Sequence, residues 1–542
     1  MTYTTHKIDR YADVRAALAD PALVPVLPAA DGGPDAASVA WLRATVARFS
    51  SGEPHRRRRA VVEDELSRLE PAALWQAAAA AAPEQEVRVR VVRILAQALG
   101  IPEAGAVAEA VTVVAGAYFG DQAKDKEKTA ADEAADEAVA WLVTHLTPPG
   151  HAEQSAENAG TALEPVANRI GLLVQACEAT AALVEAASDG DVPLPRVLRE
   201  LPPVAAMRRV AARPTRTAGR EVAEGDLVLL DLARAHDTHP VTLTFGAPPR
   251  VCPGRAHALA LAGGLLRRPL TDFARLHHQA TPLLLPNAWD HASAAALAAQ
   301  GFQAIGTTSL GVAAAAGLPD GAAATADATL ALVRRLGRSS FLLTVDAEGG
   351  FSDDPEEVAE LARRLHDAGA AGINLEDGRP DGTLVPVDLH AAKISAVKAA
   401  APHLFVNART DTHWLGRQQE ETAARLARYE QAGADGVFVP GLSDPDGIAA
   451  LTATLLTPLN ILYTPTGPTL ADLAALGVRR ISLGSLLYRT ALSAAVTTAT
   501  TIRDGRPTDI APPSYAEVQA LRRPDERAQP ASPAQRTDPA GA

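Results

Sequence analysis

LLTVDAEGGFSDDPEEVAELARRLHDAGAAGINLEDG, residues 342–378, reads as an apolar run, an acidic glycine-bearing loop, an amphipathic stretch and a second apolar run. Val358, Leu361, Ala362 and Leu365 fall on one face at helical spacing, whereas the runs at 341–346 and 372–376 have the length and composition of buried strands. A strand, a crossover helix and a returning strand imply parallel pairing. The unit recurs along the second half of the chain, with candidate strands at 283–288, 304–309, 341–346, 372–376, 404–408, 436–440, 459–463 and 479–484. Each is followed by enough chain for a helix, apart from the Gly/Pro-rich segment 376–388. Eight such units in about 235 residues match a closed barrel, and an open doubly wound sheet rarely needs so many consecutive strands. The predicted class is therefore α/β, a (β/α)8 barrel over residues 272–505.

Upstream, residues 1–271 are mainly helical in period and are expected to form a separate, mostly α domain. Downstream, residues 506–542 are rich in Pro, Ala, Asp and Arg with little periodicity, and are expected to be largely disordered. The formal charge of −13 over 542 residues argues against a general nucleic-acid or membrane-surface binder, since both need a basic field. No leader pattern or long uncharged apolar run is evident, so a cytoplasmic location is expected. The two cysteines, Cys177 and Cys252, lie too far apart in sequence to suggest a disulfide framework.

Barrel chemistry belongs at the C-terminal ends of the strands, so the polar residues just past each apolar run are the informative ones. The third strand ends in Asp346 and Glu348, the fourth in Glu376 and Asp377, and the fifth in Asn407, Arg409 and Asp411. Clustered carboxylates repel unless a cation neutralises them, and Mg2+, held directly or through waters, suits an all-oxygen donor set. A guanidinium among them can clamp a substrate carboxylate with two parallel hydrogen bonds. Gly349, Gly350 and Gly378 would leave room for a ligand, and GTTSLG at 306–311 offers N–H groups and hydroxyls to an oxyanion. The competing reading is a rim of structural ion pairs.

The segments at 283–321 (LLLPNAWDHASAAALAAQGFQAIGTTSLGVAAAAGLPDG), 345–377 and 406–411 (VNARTD) resemble the phosphoenolpyruvate mutase/isocitrate lyase family. The resemblance implies that Thr308, Ser309, Leu310 and Asn407 border a 2-oxo acid and that Arg409 binds its carboxylate. It implies Mg2+ among Asp346, Glu348 and Glu376, with Asp320 and Glu376 beside the reacting group, and a homo-oligomer formed through the barrel. Members make or break C–C or P–C bonds next to a 2-oxo acid through an enolate. Two departures narrow this. Residues 272–542 contain no cysteine, whereas isocitrate and methylisocitrate lyases use one after the fourth strand, and the corresponding loop reads GRPDGTLVPVD. A decarboxylase or related C–C lyase is the expectation.

In the upstream half, TFGAPPRVCPGRAHALALA (244–262) presents Cys252 on a Gly/Pro loop before a helix. A thiolate there would gain from the helix N-terminus and from Arg250, and could ligate haem iron. The loop resembles that of the cytochrome P-450 family. GEPHRRRR (52–59) is similar to its propionate-binding segment, which implies roles for His55 and Arg59, and LLVQACEATAALV (172–184) is similar to its distal helix, with Glu178 and Thr180 at the acid and hydroxyl positions. Arg196 and Arg199 stand where that family has a Glu-x-x-Arg pair, and the domain is short for the family. Cys177 reads as a core residue. Three functions follow as expectations: a Mg2+-dependent lyase fused to a haem-binding-like domain; a haem-thiolate monooxygenase with an electron-donor protein and an appended barrel; and a non-catalytic metabolite-binding fusion.

Overall fold

The structure is a computed structural model that describes residues 4–26, 37–82, 85–119, 129–147, 163–188, 192–268, 270–508 and 511–521. In the second half, successive strand residues point alternately inward and outward, as the two-residue period of a strand requires. Leu343, Val345, Ile373, Leu375, Val406, Val437, Ile461 and Ile481 face outward, where they are buried against Val333, Leu336, Leu365, Ile394, Val397 and Leu426 of the surrounding helices. This double burial is why the strands read as nearly continuous apolar runs.

All pairings are parallel, and the order of strands closes into a ring. The first strand is split at Pro286. Leu283–Leu285 pairs with the eighth strand, Arg480–Ser482, while Asn287–Ala288 pairs with the second, Ala304–Thr307. The proline cannot donate to the ladder, but its carbonyl still accepts from Gly306 N–H at 2.9 Å. The barrel floor is plugged by Phe273 from the short helix Asp272–Leu276, packed with Leu285, Ala304 and Phe405. Gly372 permits this plug, since a Cβ there would stand 2.8 Å from the Phe273 ring. The eight strands lie where the sequence pattern places them.

Upstream, the helices pack around Glu164–Ala187, whose Ile170, Leu173, Val174 and Cys177 are fully buried. That helix is long and apolar enough to cross a membrane by length and composition, but 56% of its apolar window is buried inside the protein. The mostly helical expectation extends to a four-stranded mixed sheet, in the order Thr5–Ile8, Leu227–Asp231, Ala206–Ala211, Leu23–Pro25. In the C-terminal tail, where little order is expected from sequence, Tyr515–Ala520 forms a helix closed by a Ser514/Glu517 capping box, and Leu521 O accepts from His291 Nε2 at 2.9 Å. The rest of the tail, from residue 522, lies outside the described residues.

Candidate active site

The third strand delivers Asp346 to the centre of the C-terminal rim. Its backbone N–H donates to Thr307 Oγ1 at 2.9 Å, and its Oδ2 accepts from Ser309 N–H at 3.3 Å. Its Oδ1 is buried without a hydrogen-bond partner. Around it stand Asp320, Glu348, Glu376 and Asp411, each with a carboxyl pushed upward by the surrounding protein and by the Asp346 charge. Glu376 is raised furthest, well above the usual range, because burial and the acids around it outweigh Arg409.

Glu348 turns back from the strand end with φ +47° and is only 3% exposed. Thr325 Oγ1 donates to its Oε1 at 2.5 Å and Ala323 N–H to its Oε2 at 3.3 Å. Asp320 is held by the Ser309 hydroxyl. Ser309 thus serves two acids, through its N–H and its side chain, whereas Thr308 is buried beside it and Leu310 is half-buried on the first turn of the helix Ser309–Ala316.

Arg409 differs most from the sequence expectation. Its guanidinium is already forked, Nε to Asp411 Oδ1 at 2.5 Å and Nη2 to Asp411 Oδ2 at 3.0 Å, with Nη1 2.7 Å from Glu376 Oε2. The pairing that would clamp a substrate is made with the protein. Gly378 also serves this arrangement, because a Cβ there would lie 2.3 Å from Asp411 Oδ2; its space is filled by a side chain and is not open to a ligand. Asn407 stands two residues before Arg409, one layer deeper, and donates to Asn374 Oδ1 at 2.9 Å instead of reaching the rim. Asp377, one residue past the inward-facing Glu376, points the other way. It accepts from Thr410 Oγ1, Asp411 N–H, Tyr429 Oη and Arg425 Nη1 outside the barrel, so it does not join the cluster.

Among the described residues, no three carboxylate, histidine or cysteine side chains converge closely enough to hold an ion directly. Glu348 is engaged by Thr325 and Glu376 by Arg409. The fit to Mg2+ therefore rests on Asp346, whose orphaned Oδ1 lacks a counterpart, with its neighbours reaching an ion by rotation or through water. The sequence pattern gives no hint of Thr325, nor of Lys393, which is 1% exposed and donates from Nζ to Gly349 O and Asp353 Oδ1, both at 3.1 Å. Lys393 thereby braces the loop after Asp346 from the helix Val387–Ala400.

Of the upstream residues singled out from sequence, Cys252, His55, Arg59 and Arg250 lie near one another, with corrections. The Cys252 side chain is exposed. Burial pushes its thiol up, and the Gly254 N–H, Arg48, Arg255 and Arg59 offset this only in part. The expected depression by the helix terminus and Arg250 is not realised: Arg250 donates from Nη2 to Ser50 O at 3.0 Å. His55 Nδ1 bonds Ala47 O at 3.0 Å, and Arg59 Nε donates to Glu63 Oε1 at 2.7 Å. Glu178 accepts from Arg88 Nε at 3.0 Å, so its carboxylate is engaged in an ion pair, and Thr180 Oγ1 is buried without a partner. Cys177 is a core residue, with burial pushing its thiol up to about 11.

The fold is a (β/α)8 barrel with an acidic rim around one central aspartate, the end at which barrels of this kind carry their chemistry. The family model for phosphoenolpyruvate phosphomutase matches residues 273–503. An uncharacterised protein of Mycobacterium tuberculosis is 47% identical over 251 residues, which are 46% of this chain and 95% of that protein. The 2-methylisocitrate lyase of Bacillus subtilis is 32% identical over 209 residues, 36% of this chain and 68% of that protein. An oxaloacetate decarboxylase of Ectopseudomonas mendocina is 31% identical over 207 residues, 36% of this chain and 70% of that protein. Through its barrel, the chain belongs to the phosphoenolpyruvate mutase/isocitrate lyase superfamily. The family match begins at residue 273 and does not extend over the upstream half.

Proposed function

We propose that the barrel is a Mg2+-dependent lyase that breaks a C–C bond next to the oxo group of a 2-oxo acid, with decarboxylation the favoured reaction. The observation that carries this reading is the orphaned Asp346 Oδ1 at the centre of a rim where every neighbouring carboxyl is pushed up. Mg2+, held by Asp346, would supply polarisation of the oxo group and neutralisation of the negative charge that develops there. The chain's own groups do the rest. Asp320, beside Asp346 and hydrogen-bonded by Ser309, is the group placed to deliver a proton to the enolate carbon, which keeps the bonding pair when CO2 departs. Arg409 would offer substrate its Nη1 edge if Glu376 turned away from it, while Asp411 keeps the guanidinium fixed in the rim. Absence of any barrel cysteine disfavours the activity named for the Bacillus subtilis relative. The test is to strip the full chain with EDTA, restore Mg2+ or Mn2+, and measure product from oxaloacetate and other 2-oxo acids. Full turnover in EDTA refutes the metal reading.

A second reading, for the upstream half, is favoured by the open Cys252 thiol, which accepts the Gly254 N–H and is flanked by Arg48 and Arg59. The sulfur and Arg48 would suit an anionic group such as haem only if its binding drew the raised thiol into the thiolate form, with an electron-donor protein as partner if it turns over. Cys252→Ser should abolish any Soret band in protein expressed with a haem precursor, while Cys177→Ser should retain it. Haem-free wild-type protein refutes this reading.

A further inference from the structure

The layer beneath the rim is polar, where barrels of this kind are ordinarily filled by branched apolar side chains. Thr344, Asn374, Asn407, Asn460, Arg480 and Ser482 are all buried there. Arg480 opens the eighth strand and is 1% exposed. Its Nη2 donates to Asn374 Oδ1 at 3.1 Å and its Nε to Ser482 Oγ at 3.2 Å, while Nη1 is buried with no partner. Asn374 is also the residue that Asn407 contacts, and in register it stands beside Asp346.

A guanidinium held by neutral groups is an expensive thing to bury. Burial lowers its pKa to about 9, which still leaves it charged at neutral pH, and the acid whose field offsets this is Asp346. On the rim, five carboxyl groups share one guanidinium, Arg409, which is engaged by two of them. A divalent ion leaves such a cluster negative when its acids are ionised, and a 2-oxo acid adds further negative charge.

We propose that Arg480 is a positioning residue whose charge, fixed on Asn374 and Ser482 inside the barrel, offsets the carboxylate excess of the rim and sets its affinity for the anionic substrate without touching it. This rests on the reading of the rim as a metal and 2-oxo acid site. The sign of the effect separates it from a supporting role. A cation below the rim attracts an anion and repels a metal ion, so removing it weakens the anion and leaves the metal bound as tightly or more so. A side chain that merely supported the barrel would, when replaced, weaken both.

The experiment uses the full chain as wild type, Arg480→Gln and Arg480→Lys. Mn2+ affinity is read from the electron paramagnetic resonance signal of the free ion, and oxalate affinity of the Mn2+-loaded protein by calorimetry. Arg480→Gln should lose about tenfold or more in oxalate affinity without losing Mn2+ affinity, whereas Arg480→Lys, which keeps the charge, should stay within about threefold of wild type. If Arg480→Gln does not fold, Arg480→Met, an apolar chain of similar length, takes its place. Oxalate binding within about twofold of wild type in the neutral variant, or an equal loss of Mn2+ and oxalate, overturns the assignment. Wild-type protein that binds neither probe overturns the metal reading as well, a different result from an unaffected variant of a wild type that binds both.

Discussion

Replacing Arg409 by lysine separates its two roles, as the anchor of a buried acidic pair and as the recogniser of a substrate carboxylate. The guanidinium makes two hydrogen bonds to Asp411 and a third contact to Glu376, with the three side chains only 15%, 5% and 12% exposed. Hydrogen bonds to charged groups contribute about 1.5–3 kcal/mol each, and an ammonium can keep one of the three in good geometry. A net loss of about 3 kcal/mol follows, which for a domain of this size lowers Tm by about 6–12 °C. Catalysis should fall independently, with kcat/KM for a 2-oxo acid down about ten- to a hundredfold. Asp411→Asn is the control, because it loosens the anchor while retaining the guanidinium. It should lower Tm but keep the preference for a 2-oxo acid over its amide. Thermal denaturation by circular dichroism and kcat/KM for the acid and the amide give both quantities. A preference for the acid that survives intact in Arg409→Lys would refute substrate recognition by Arg409.

Metal should stabilise the protein more at the higher of two pH values, since the raised carboxyls of Glu376 and Glu348 must be ionised to face it. Calorimetric Tm shifts with Mg2+ at the two pH values check this, and Asp346→Asn should abolish them. Glu430, buried at the foot of the segment 455–457 and raised to about 7, is protonated in the folded state and ionised in the unfolded one between its ordinary value of 4.5 and about 7. Stability should therefore fall as pH rises through that window, and Glu430→Gln should flatten the slope in urea titrations. The helix Leu486–Arg503 buries none of its residues and exposes Leu492 and Val496, the apolar face expected to meet a second copy of the chain. Val496→Asp should shift the protein to a smaller species in sedimentation velocity, and an unchanged assembly would count against an interface there.

The barrel was legible because each strand is apolar on its outer face and followed by a helix with one apolar stripe, as Val345, Val358 and Leu365 illustrate. Rim residues were legible for a related reason: Asp346, Glu376 and Arg409 stand where an apolar run stops. Their partners were not. A side chain's direction follows from strand parity, which puts Asp377 outside the barrel and Asn407 below the rim, but its hydrogen bonds depend on distant loops such as that of Thr325. The Asp411 fork on Arg409 joins residues two apart around a strand end, a geometry that composition does not reveal. Arg480 is not legible in the sequence, because a charge opening a short strand reads as a surface residue. For Cys252, proximity to cations suggested an ionised thiol, and burial reversed the sign.

The junction between the halves has a practical consequence for dissecting the protein. Arg255, three residues past Cys252, donates to Ala453 O and Thr452 O at the end of the helix Pro445–Thr454, both at 2.6 Å, and Gln431 donates to Pro240 O. Ala427 of the barrel is buried in the upstream sheet's core. A barrel expressed alone from residue 272 would bare that seam, so the behaviour of an isolated half would report the wound as well as the domain. Silencing each site by point substitution in the intact chain avoids this and leaves the contacts between the loop carrying Cys252 and the outer wall of the barrel in place.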